Sequence, residues 1–133
     1  MTRRVVLLGV ALALAVSRCS DSAGPTSGSL ALQLSNAGAS DRAMLLQIAS
    51  ADSTARIDTV LAPAGSSYRV FAERQSGMQW RVIVTGNLSN GVLVIIQVPD
   101  RSVATAYSGT ILDVADASYA DVQPGSRALT VGP

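Results

Sequence analysis

Residues 78–98 read MQWRVIVTGNLSNGVLVIIQV, and the spacing of their apolar side chains decides the fold class. Met78, Trp80, Val82 and Val84 recur at every second position, with Gln79, Arg81 and Thr85 on the other parity. That is the two-residue period of a strand with one buried face. Asn87-Leu88-Ser89-Asn90-Gly91 follows, and an Asn-Gly step between two strand-like runs predicts a β-hairpin. The second arm, Val92 to Val98, is apolar at both parities, as a central strand covered on two sides would be. Trp80 shares the parity of the valines and is assigned to the core rather than to a sugar-stacking platform.

The same period runs outward in both directions. Leu30, Leu32 and Leu34 alternate with Ala31, Gln33 and Ser35, and Met44, Leu46 and Ile48 form a second run. Ala43 to Ala49 (AMLLQIA) carries helix-forming residues, but seven residues between turn formers is short for a helix, and the strand reading is preferred. Ile57 to Leu61, Tyr68 to Glu73, Tyr107 to Val114 and Ala128 to Val131 are the further strand candidates. Asn36-Ala37-Gly38, Pro63-Ala64-Gly65, Gln75-Ser76-Gly77 and Pro99-Asp100 break the chain between them. Seven to nine short strands predict an all-β, antiparallel β-sandwich over residues 30–133, of jelly-roll or immunoglobulin-like kind.

Composition supports this and removes several chemistries. All ten basic residues are Arg, and the nine acids are eight Asp and the single Glu73. Asp favours turns and caps over helix interiors. There is no His and one Cys. Ser/His/Asp and Cys/His nucleophile systems are therefore excluded, and so are an intramolecular disulfide and a thiolate metal site. No catalytic residue and no cofactor is assigned, and the chain is not read as an enzyme.

The first 29 residues read as targeting and tether. Arg3 and Arg4 precede the apolar run Val5 to Val16, which fits the hydrophobic segment of a signal peptide spanning residues 1–18 and is too short for an ordinary membrane span. Residues 19–29 are a Ser/Gly/Pro-rich tether, SDSAGPTSGS following Cys19. Val16-Ser17-Arg18-Cys19 resembles a bacterial lipoprotein signal, which implies acylation of Cys19 and a membrane anchor through it. The alternative is cleavage after Ala13-Leu14-Ala15, leaving Cys19 a free thiol in a soluble secreted or periplasmic protein. Without residues 1–18 the chain keeps seven Arg against nine acids, a net charge of −2. That gives no electrostatic reason to expect a nucleic-acid partner.

The order of features resembles a cohesin-type module, a β-sandwich of bacterial extracellular proteins. SLALQLSNAG, AMLLQIAS, QWRVIVTGNLSNGVLVIIQVPD, ILDVADASYADVQ and the closing ALTV carry the resemblance. It implies an exported, non-catalytic binding or adhesion module that meets a protein or polysaccharide at the cell surface. The alternative is a structural or accessory envelope lipoprotein packing into a larger assembly. Asp113, Asp116 and Asp121 fall within nine residues and are the one group able to offer oxygen ligands to Ca²⁺. Their spacing matches no EF-hand loop, and the preferred reading is that they bond nearby backbone N–H groups, with no metal site. Arg69, Arg74 and Arg81 are candidates for an interaction patch, or for a solvated sheet face.

Overall fold

A computed structural model describes residues 24–133. The proposed signal peptide, Cys19 and the first part of the proposed tether, residues 19–23, lie outside the described residues. Among the described residues, nine antiparallel strands form two sheets: β1 (Gly28–Ser35), β2 (Asp41–Ser50), β3 (Thr59–Leu61), β4 (Arg69–Ser76), β5 (Gln79–Thr85), β6 (Gly91–Val98), β7 (Tyr107–Asp116), β8 (Asp121–Val122) and β9 (Ala128–Gly132). One sheet has the order β3-β6-β1-β9 and the other β4-β5-β2-β7-β8. The all-β sandwich expected from the two-residue period is the fold. Gly28 and Ser29, placed in the tether by composition, are already paired with Val98 and Gln97.

Alternation puts one side of each strand between the sheets. Leu30, Leu32 and Leu34 from β1, Met44, Leu46 and Ile48 from β2, and Val82 and Val84 from β5 are buried in one cluster. Full burial of such a side chain is worth about 1.5–3 kcal/mol. Trp80 packs against this cluster but is only half-buried, at the end of the sheet, with the Arg74 guanidinium 5.1 Å from its ring centroid. Met78, expected on the same buried face, lies past the strand end in the β4–β5 turn and is 42% exposed.

Residues 86–90 correct the hairpin expectation. β5 pairs with β2 and β4, whereas β6 pairs with β1 and β3, so the two arms lie in opposite sheets. The connection is an arch across the core. Gly86 at φ 140° and Gly91 at φ 120° adopt backbone conformations that L side chains rarely take. Leu88, midway, is buried, and its N–H donates to the Asp41 carbonyl at 3.1 Å. The tight hairpin is instead β4–β5, turned at Gly77 and Met78.

The double-sided apolarity of β6 also has a local cause. Its register against β1 shifts between Leu32 and Gln33, so Val94 and Val92 are paired while Leu93 is the inserted residue of a bulge. Leu93 and Val94 are consecutive and both fully buried, which a regular pleat forbids and a bulge permits. Val92 and Ile95 are half-buried. Beyond β6, residues 101–106 form a short 3-10 helix that strand periodicity did not indicate, capped by the Asp100 carboxylate accepting from the Ser102 N–H.

Candidate functional site

The five-stranded sheet turns one face to the core and the other to solvent, and its outward residues fall in cross-strand rows. Phe71 of β4 lies opposite Ile83 of β5, Ile83 opposite Leu45 of β2, and Leu45 opposite Asp113 of β7. Phe71 is 59% and Ile83 44% exposed, with Leu45 half-buried between its neighbours. One flank of this apolar row is polar, running Glu73, Arg81, Gln47 and Thr110 across the same four strands. The other runs Arg69, Thr85, Ala43 and Ala115. Grooves follow the row: one is bordered by Phe71, Glu73, Arg81 and Ile83, the next by Leu45, Ile83, Asp113 and Ala115. A third continues to Arg42, Asn87 and Tyr119 at the end of the sheet. In β7 the register shift between Leu45 and Leu46 leaves Leu112 as an inserted residue, 39% exposed.

Arg69 and Arg81 therefore share this face, while Arg74 has the opposite parity and stands over Trp80. Sequence reading did not single out Ile83. The available signal was an aliphatic residue at the parity of Gln79, Arg81 and Thr85.

Of the three aspartates raised as possible Ca²⁺ ligands, Asp113 and Asp116 accept backbone N–H groups close in sequence. The Asp116 Oδ1 accepts the Ser118 N–H at 2.8 Å and the Ala120 N–H at 3.1 Å. It thereby shapes the β7–β8 turn, in which Tyr119 takes a left-handed φ of 61°. The Asp113 Oδ1 accepts the adjacent Val114 N–H at 2.9 Å, and Asp121 opens β8 opposite Ala115. Among the described residues no three His, Cys, Asp or Glu side chains gather as a metal-binding group.

Asp41, the first residue of β2, is not singled out by the sequence, yet among the described residues it is the one buried charged side chain, at 0% exposure. The Arg127 Nε donates to its Oδ2 at 2.7 Å and the Nη2 to its Oδ1 at 2.8 Å, a bidentate fork. The Gly38 N–H adds a third bond to Oδ2 at 2.7 Å. Arg127 is satisfied in turn, its Nη1 donating to the Gln123 and Pro124 carbonyls. A Cβ on Gly38 would sit 2.5 Å from the Arg127 Nη2 and 2.7 Å from the Asp41 Oδ1, so only glycine lets the pair close.

The hydrogen bonds from Arg127, opposed by burial and helped by the Gly38 N–H, hold the Asp41 carboxyl below the usual carboxylate range. A carboxylate locked in its ionised form is a poor proton donor or acceptor near neutral pH. It ties the β1–β2 turn to the β8–β9 loop, 86 residues away in sequence.

The outward face of the five-stranded sheet, with its apolar row and polar flank, is thus the candidate site. No family model, no curated protein and no solved structure matches this chain.

Proposed function

We propose that this protein is a non-catalytic binding module of the cell envelope or exterior, cohesin-like in its sandwich, that acts by surface contact. Its export is ascribed to residues 1–18 and its tether to an acylated Cys19. A soluble secreted or periplasmic protein is the alternative if Cys19 is not acylated. The observation that carries the reading is the row Phe71–Ile83–Leu45 across a face left to solvent, with Arg69, Arg81 and Glu73 on its flanks. Apolar surface rimmed by polar groups marks an interaction site. Phe71 is the single aromatic in the row. Sugar recognition leans on aromatic platforms, so a protein surface is the better-fitting partner than a polysaccharide.

The second reading, an accessory lipoprotein built into a larger assembly, is favoured by the continuity of the row over three adjacent strands. Both readings use the same face and separate on whether the partner is exchangeable or permanent. Immobilised protein passed over envelope extract should retain a partner that the Ile83→Glu variant does not retain. Equal retention by both proteins overturns the outer-face reading. For the anchor, Cys19→Ser should move the protein from the membrane to the soluble fraction, and persistence on membranes refutes it.

A further inference from the structure

We propose that β4 is a self-association edge: two copies of the chain pair antiparallel through β4 about a two-fold axis at Phe71, joining their five-stranded sheets edge to edge. The inference goes beyond the outer-face reading: it adds a strand-to-strand contact at the β4 edge, whose Arg69, Phe71 and Glu73 also belong to the exposed row and its flanks.

β4 is the terminal strand of its sheet and is eight residues long. The other terminal strands are β3, β8 and β9, of three, two and five residues. Among the described residues no turn or loop backbone hydrogen bond is made to residues 69–76. Opposite β4 the four-stranded sheet ends in the short β3. The inward-parity Ala72 and Arg74 consequently remain exposed, and Val70 alone of the eight residues is half-buried. The register shift between Arg74 and Ser76 and the inward-parity Arg74 blunt the far end of this edge, but Arg69–Glu73 is a regular open stretch without Pro or Lys, a template for another strand.

What selects a second copy is the order of side chains along the edge. Arg69-Val70-Phe71-Ala72-Glu73 is charge-complementary to its own reverse. Centred on Phe71, an antiparallel pair sets Arg69 opposite Glu73 of the second copy, and the two-fold repeats the contact. Phe71 then lies beside Phe71, and Val70 faces Ala72. Directly opposed residues have Cβ atoms about 4.5–5.5 Å apart, near enough for charges and aromatic rings to interact. Moving the centre to Glu73 would set Glu73 against Glu73 and Phe71 against Gln75. Centring on Ala72 would set Phe71 against Glu73. The charge pattern therefore fixes one register, and the two-fold makes the contact isologous and closed. The apolar row would continue through the axis, from Leu45 of one copy to Leu45 of the other.

The test is sedimentation velocity of the full chain in non-ionic detergent with reductant present, so that Cys19 forms no disulfide. A strand pair buries less than a standard interface, so loading runs from about 1 μM to about 1 mM. A concentration-dependent dimer is expected. Arg69→Glu alone, and Glu73→Arg alone, should each raise the dimer dissociation constant about tenfold, because two reciprocal attractions become repulsions. The double variant R69E/E73R should return it to near the original value, which also shows that the single variants lost pairing rather than fold. Ile83→Glu, one strand in from the edge, should leave the dimer intact. A monomer throughout the range overturns the proposal, as does a double variant that stays monomeric. Loss of the dimer in Ile83→Glu would transfer the association to the sheet face and overturn the edge mode. The two readings fail separately: Ile83→Glu decides partner retention, and the Arg69/Glu73 swaps decide the dimer.

Discussion

The two sides of the sandwich are built on opposite terms. On one side β7 and β9 approach so closely that a Cβ on Gly109 would lie 3.0 Å from Leu32 Cδ2 and 3.1 Å from Leu129 Cδ1. Above them the Asp41–Arg127 fork clamps two distant turns. On the other side β4 overhangs, with seven of its eight residues exposed and its outer edge unpaired among the described residues. The closed side shows interactions that hold the fold. The open side shows surface that the fold itself does not use. Substitutions should therefore behave differently according to the side on which they fall, and mostly without regard to how hydrophobic the residue is.

The largest effect is expected at the clamp. Arg127→Ala leaves Asp41 buried without its partner, and removing one member of a buried pair costs about 3–5 kcal/mol. Thermal or urea unfolding measures it; a loss below about 1 kcal/mol, the range of exposed pairs, would mean that the clamp is no stronger than a surface contact.

Acid should weaken the same side by a smaller amount. The Asp41 carboxyl titrates lower when folded than when unfolded. Its stabilisation is thus complete above the unfolded value of about 3.9 and is lost as pH falls through the folded value. Unfolding midpoints followed from pH 6 downward should fall more steeply for the parent than for Arg127→Ala, whose clamp is already gone. Parallel curves would remove Asp41 from the acid response.

The smallest effect is expected on the open side. Phe71→Ala, at concentrations where the chain is monomeric, should change stability by no more than about 0.5 kcal/mol, as exposed positions do. A Phe in the core would cost about 3–5 kcal/mol. A cost of that size at Phe71 would erase the contrast between the two sides.

The sequence made the buried parities of β1, β2 and β5 legible because alternation is local: each residue's face follows from its neighbour's. The aspartates were legible for the same reason, since Asp52, Asp100 and Asp116 all accept backbone N–H groups within four residues. What failed was non-local. Asn90-Gly91 announces a change of direction but does not say which sheet receives the next strand, and the arch was read as a hairpin. Asp41 and Arg127 meet only after β1, β2 and β9 are in place, so nothing near either residue announces the pair. The outward face of the five-stranded sheet falls between these cases. Arg69 and Arg81 were singled out for their charge, whereas Ile83 broke the polar parity of β5 in plain view and was absorbed into a valine-rich run.

The position of β1 also governs the order in which the molecule can be made. β1 is the first strand described, yet it pairs with β6 on one side and β9 on the other. β9 ends at Gly132. A chain emerging from N- to C-terminus therefore holds β1 half-paired until β9 arrives, and topologies dominated by such distant pairings fold in milliseconds to seconds. Over that interval β1 is an open edge of alternating leucines, the kind of segment that aggregates or recruits a chaperone. Removing residues 128–133 would make that transient exposure permanent.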